Sequence, residues 1–454
     1  MTSENWVLSI IPSLLLLLLA WFARHQFGSW LFPSAFFGLY WALPLITSLI
    51  LAPDFHFWPG AAWFILFFGW TVHVGTQLGW AIGNTNVKAI KRNSQARTFE
   101  LFWGREILVT CTALGFLSVL ITLQSRGYPL SMLLHPDLIP RVSRDFSIAR
   151  YSEFYDPPLV ARLLTVFVYL GSMFSGVWLG TNAKVPRRTR LLALLPFGPA
   201  GLLALIHTTR TSLLFPLIFF LATYFATLVL RQVNIGAGSV IRDPKKIAYA
   251  SLLILAGVGI FIALQMLRDK LTLDDISITL DKTRVSLLGT PSAFSQWLER
   301  EWLNGRELGW GAYSFAGVYD VLGIAERQQG IYVEGAYVGA GEWSTNIYTV
   351  FRNLIDDFSL PCAIIVLFVI GVGAGFAHRK VSTGAYPSLF LLSLFYAFTL
   401  WSTVVSIFNY NSIILAWFIF FGYLRLGGLR LLRPVSSSRK REVVHDQCAP
   451  IARK

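Results

Sequence analysis

Residues 346–358, NIYTVFRNLIDDF, close a long polar excursion and hand the chain over to 360–377, LPCAIIVLFVIGVGAGFA, a run without a single charge. The run is long enough to cross about 30 Å of hydrocarbon as a helix. In the stretch before it, Ile347, Val350, Phe351, Leu354 and Phe358 recur at helical spacing, while Asn346, Thr349, Asn353 and Asp356 fall on another face. The pattern predicts an amphipathic helix lying on a membrane surface and leading into a span. Ser344 and Thr345 supply hydroxyls where an N-cap is wanted, and Arg352 and Asp356 stand i, i+4 apart.

Working outward, the composition agrees. Hydrophobic residues make up 55%, aromatic residues 15% and charged residues 14% of the chain, values of an integral membrane protein. About eleven stretches are apolar and long enough to span, near 6–23, 30–52, 58–82, 107–124, 159–180, 191–206, 211–230, 248–267, 360–377, 386–405 and 411–429. The sixth is short and holds Pro196 and Pro199; with its neighbour it forms a tight hairpin around His207-Thr208-Thr209-Arg210. The first follows Glu4 without a basic residue, unlike a cleavable signal. The expected fold class is therefore an all-α integral membrane protein. Spans 1–4 occupy 1–124, a first outer loop 125–157, spans 5–8 158–267, a large helical outer loop 268–358, spans 9–11 359–430 and a basic tail 431–454.

The net charge of +14 is not a nucleic-acid footprint, because the basic residues are spread between apolar spans. With the N-terminus outside, most of them collect on the inner side, as the positive-inside rule requires, and the C-terminus is cytoplasmic. The long loops then face outward. Residues 268–358 carry Trp297, Trp302, Trp310 and Trp343 with glycines and tyrosines, a surface that suits sugar stacking as well as simple interfacial anchoring. A second amphipathic helix is expected over Pro291–Leu303. Arg439-Lys440-Arg441 in the tail favours anionic lipid. Cys111, Cys362 and Cys448 lie too far apart to suggest a disulfide framework or a metal cluster. The spans are almost free of ionisable residues at mid-depth, which counts against an ion-coupled pump but not against a lipid flippase.

This layout resembles the Wzy-type oligosaccharide repeat-unit polymerases, the bacterial O-antigen and exopolysaccharide polymerase family. The resemblance rests on the number of spans and on three short motifs. Gly127-Tyr128-Pro129-Leu130 runs on to Ile148-Ala149-Arg150-Tyr151 in the first outer loop; Thr209-Arg210-Thr211 opens a span; Asn346, Tyr348-Thr349, Phe351 and Asp357-Phe358 close the large loop. The family's glycine after Asp-Phe is Ser359 here. The resemblance implies a GT-C-like fold in the bacterial inner membrane and a glycosyl transfer without metal or cofactor. A glycan would leave undecaprenyl diphosphate for a hydroxyl of the next lipid-linked repeat unit. Donor and acceptor lipid-linked oligosaccharides are the implied partners, with membrane lipid, a chain-length regulator and a flippase. An O-antigen ligase or a polysaccharide flippase fits the same layout.

Such chemistry asks for cations on the leaving diphosphate and for a base near the acceptor hydroxyl. Arg210 sits in a short outward hairpin at a helix N-terminus, a place for diphosphate or for a lipid phosphate. Arg352 is a second diphosphate candidate, or the partner of Asp356; Arg284 is a third. His207 is a base or a bystander. Asp357, with Asp356 beside it, is a base or acceptor orienter, or else a cap for the span after it. Arg150, Tyr348 and Asn346 are candidate glycan contacts.

Overall fold

In the computed structural model the described residues are 3–83, 98–129, 131–132, 135, 137–152, 157–181, 190–231, 259, 262–263, 265–266, 276–301, 307–324, 332, 334–339 and 343–432. Seven described helices are long and apolar enough to cross a membrane. They are α1 (Ser3–Phe27), α2 (Pro33–Leu51), α3 (Pro59–Ile82), α4 (Gly104–Gln124), α6 (Leu159–Thr181), α8 (Thr211–Leu230) and α11 (Val350–Ser382). Shorter apolar helices are α7 (Phe197–His207), α12 (Leu389–Trp401) and α13 (Asn411–Arg425). Leu14, Leu18, Phe22, Phe67, Trp70 and Phe418 stand exposed on these helices, an outer surface that only lipid can solvate. The chain is thus an all-α, multi-pass membrane protein. The expected span 248–267 falls almost wholly outside the described residues, as does the tail from 433. The short sixth span begins as a 3-10 turn, Leu191–Leu194, and becomes α7. Its hairpin to α8 turns at Thr208, whose φ of 50° is left-handed.

The ends of the bundle differ. At one end Phe27 stacks on Phe32, both meet Trp80, and Arg379 lies over Trp80. Arg231 donates to the carbonyl of Gly180 there, and β1 (Thr98–Leu101) pairs antiparallel with β4 (Leu429–Leu432). Arg24, Arg105, Arg190, Arg379, Lys380 and Arg425 flank the helix ends on this side. The opposite end carries α5 (Ile139–Ser152), α9 (Ile276–Glu301), α10 (Ala316–Val321) and the small hairpin of β2 (Ala336–Val338) and β3 (Trp343–Thr345). Together α9, α10, the hairpin and the first turns of α11 form a cap.

Small residues bring the helices together. Gly75 and Gly79 of α3 lie against the backbone of Phe368 and Val372, and Gly371 and Gly375 of α11 lie against Val72 and Thr76. Two Gly-xxx-Gly stripes therefore interlock face to face, close enough that a Cβ on Gly79 or Gly375 would strike a carbonyl. In lipid, where apolar surface gains little by leaving its solvent, such close packing supplies the association energy. A third pair, Gly176 and Gly180 of α6, faces Thr223 and Thr227 of α8.

Two expectations about the cap need correcting. The helix over Val350–Phe358 does not lie on the membrane surface, because every residue from Val350 to Asp357 is buried. Phe351 packs on Trp41 and Phe68 from the middles of α2 and α3, so this helix sinks between the spans, and its polar residues face cap and turns rather than water. It is separated from the spanning part of α11 by Ser359, at φ 65° and ψ 166°, a region essentially restricted to glycine. The second correction concerns the helix expected from Pro291: among the described residues, which end here at Glu301, it is not a separate amphipathic helix, since α9 runs through Pro291 and is buried on all sides over 289–298.

Candidate functional site beneath the cap

Val350 starts α11 by donating its amide to the carbonyl of Ser402 at 2.8 Å, which ties the helix to the turn after α12. Two residues on, Arg352 is enclosed. Its guanidinium carbon lies 3.6 Å from the ring centre of Tyr332, 4.0 Å from Tyr348 and 5.3 Å from Trp297. Nε donates to Asp356 Oδ2 at 3.2 Å, with both side chains buried. Desolvation of two ions costs several kcal/mol each unless partners compensate; here the carboxylate and three ring faces do so. Burial, reinforced by the charge of Asp356, pushes the Tyr332 phenol well above the usual range. Tyr348 donates its hydroxyl to Glu334 O at 3.2 Å. Arg352, Asp356 and Tyr348 thereby hold cap to helix.

Asp357 is fully buried. Its two oxygens accept from consecutive backbone amides, Tyr313 N at 3.0 Å and Ser314 N at 2.6 Å. The carbonyls of Asp356 and Asp357 accept from Gly309 N and Trp310 N, and Asn353 Nδ2 donates to Tyr313 O at 3.2 Å. This end of the helix thus clamps the loop 309–315, in which Trp310 and Gly311 both take positive φ. Gly309 abuts Asp357 Oδ1 too closely for any side chain.

Around that clamp runs a seam of buried polar atoms without hydrogen-bond partners: Thr349 Oγ1, Asn353 Oδ1, Ser314 Oγ, Asn409 Nδ2, Asn411 Oδ1 and the indole nitrogens of Trp297 and Trp401. Thr349 and Asn353 share a helix face at i, i+4. Ser314 follows the residue that Asn353 holds, Asn409 accepts from Ala316 N at 3.4 Å, and Trp401 precedes the carbonyl that receives Val350. Fewer than one buried polar group in ten is normally left unpaired, and each costs about 1–3 kcal/mol. The seam offers donors and acceptors together.

The remaining predicted residues lie apart from this seam or at its edge. Arg210 is half-buried at the start of α8, and Phe215, five residues on, packs against Trp401 at 4.4 Å and Tyr410 at 4.9 Å. The first turn is tied by a 2.6 Å contact between the hydroxyls of Thr209 and Ser212. His207 sets its ring edge-on to Phe146 of α5 at 5.4 Å. Arg284 is at the surface, bidentate on Asp54 at 3.0 and 2.7 Å and over the ring of Phe55. Asn346 is exposed. Arg150 belongs to α5, but its side chain lies outside the described residues. The three-arginine grip expected from sequence is therefore not assembled: Arg352 is enclosed with Asp356, Arg284 is occupied by Asp54, and Arg210 opens the helix whose Phe215 packs on Trp401.

Sequence reasoning missed Ser314, Tyr332, Trp401 and Asn409. Thr349 and Asn353 were visible as an i, i+4 polar pair, and Asn409-Tyr410-Asn411 as a polar interruption between apolar runs; the meeting of 314, 349, 401 and 409 depends on tertiary contacts alone. Among the described residues no three His, Cys, Asp or Glu side chains gather in a way that could hold a metal ion. Comparison with family models, with curated proteins and with solved structures finds no match to this chain.

Proposed function

We propose that the chain is a metal-independent polymerase that joins oligosaccharide repeat units carried on undecaprenyl diphosphate, at the face of the bacterial inner membrane opposite the basic end. The observation that carries this reading is the unpaired polar seam beneath the cap, beside the helix that begins at Arg210. A sugar hydroxyl both donates and accepts, so a glycan satisfies Asn353 Oδ1 and Asn411 Oδ1 as readily as Asn409 Nδ2 and the indole of Trp401. An ion pathway would call for carboxylates, and an apolar ligand would leave these atoms unsatisfied.

In this reading Arg210 and the amides opening α8 hold the diphosphate. The bond from the donor's anomeric carbon to diphosphate oxygen breaks, and a bond from the acceptor's hydroxyl oxygen to that carbon forms. The hydroxyl proton passes to His207, three residues before Arg210, and the diphosphate leaves on its lipid. Arg352 and Asp356 hold the cap, and Asp357 holds loop 309–315. The test is chain growth by the full chain in liposomes supplied with lipid-linked repeat units extracted from cells lacking it. Growth with no other enzyme present is expected, abolished in Arg210→Ala at unchanged folded yield and kept in Arg284→Ala. Translocation without growth would favour a flippase, and growth that survives Arg210→Ala would remove that residue from the site.

A further inference from the structure

The chain that runs from the loop clamped by Asp357 through α10 carries apolar side chains that no described residue covers. Trp310 is 72% exposed, Val321 70%, Leu322 64% and Ile324 62%, all within a fifteen-residue stretch whose one charged side chain is Asp320. Chain segments facing water rarely present such a cluster, and a contiguous exposed apolar patch marks a contact surface. What covers it follows from where it is fixed. Phe315 stacks on Phe408 with ring centres 5.5 Å apart, and Asn411 Nδ2 donates to Asp320 Oδ2 at 2.9 Å. Gly317 sits against the backbone amide of Asn411 too closely for a side chain. Asn411 is the first residue of α13, whose Leu415, Phe418 and Ile419 are exposed toward lipid.

The patch is thereby pinned beside the first turn of α13, an apolar helix that exposes large side chains of its own. We infer that residues 310–324 form a wedge inserted into the headgroup and acyl-chain boundary beside α13, with the bilayer itself as the partner. Trp310 is suited to that depth, its indole being apolar in body and polar at one edge. Asp320, the carboxylate in α10, accepts from the neutral amide of Asn411 at 2.9 Å, which directs one of its oxygens at the start of α13.

The wedge is tested by spin labels on single cysteines in the full chain, with Cys111, Cys362 and Cys448 replaced by serine, one copy per phosphatidylethanolamine–phosphatidylglycerol nanodisc. Leu322→Cys is compared with Phe418→Cys, on the lipid face of α13, and with Ser344→Cys, exposed on β3. The Leu322→Cys label is expected to collide with oxygen far more than with a water-soluble nickel chelate, as Phe418→Cys does. A ratio like that of Ser344→Cys would place the patch in water, and shielding from both reagents would mean that protein covers it; either result overturns the wedge. Because all three substitutions are at exposed positions and none touches the seam, the outcome is independent of the polymerase reading.

Discussion

Asp357 and Arg352 illustrate how a side chain's partners decide its role. A carboxylate meant as a base keeps a lone pair directed at its substrate, whereas both oxygens of Asp357 are directed at the amides of Tyr313 and Ser314. Hydrogen bonds to a charged acceptor contribute about 1.5–3 kcal/mol, and Asp357→Asn turns one acceptor into a donor facing a donor. That variant is expected to lose about 2–3 kcal/mol of cap stability, seen as faster proteolysis within 309–324 and a lower melting temperature in detergent. Activity lost with the cap's protection intact would instead return Asp357 to the chemistry. The i, i+4 pairing of Arg352 and Asp356 was legible in the sequence, yet the enclosure was not. It depends on Tyr332 and Trp297, residues 20 and 55 positions earlier in the chain, brought in by β-hairpin and helix packing that no local pattern encodes.

At the scale of elements, the apolar runs predicted most of the bundle, since a span's length and composition are fixed by the bilayer. The 346–358 segment was misread for a physical reason. Helical spacing separates two faces but does not say whether the polar one meets water or other buried polar groups, and here it meets the cap and the turns after α12. The break that follows is a backbone matter. Ser359 holds φ 65° and ψ 166°, a conformation costing a side chain about 1–3 kcal/mol. Ser359→Gly should therefore raise stability by about 1 kcal/mol without altering the fold, whereas Ser359→Val should lower it; thermal unfolding of the two variants checks the sign. The Gly-xxx-Gly stripes make the opposite case. Gly375→Leu must force α3 and α11 apart, because the added carbon meets the Thr76 carbonyl, and a core overpacked in this way loses about 1–3 kcal/mol or more. Reduced folded yield is expected for Gly375→Leu, and unchanged yield for Gly422→Leu, where the added carbon meets open space.

For the whole molecule, the division into two unlike ends decides where any chemistry could happen. Positive charge flanks the helix ends near Arg24, Arg231, Arg379 and Arg425, while cap, seam and the α7–α8 hairpin gather at the other end. Basic residues resist translocation, so the charge distribution predicts which end stays in the cytoplasm, and the packing carries that assignment to every buried group by continuity of the helices. A lipid-linked glycan meets the seam only if the cap faces outward. The orientation can be read without knowing any activity. In a background free of native cysteines, an impermeant maleimide added to intact spheroplasts should label Ser344→Cys, on β3 of the cap, and spare Leu426→Cys, 91% exposed at the basic end, until the membrane is opened. The reverse pattern would put the seam in the cytoplasm, away from any translocated repeat unit, and with it would go the proposed polymerisation, whatever Arg210 does.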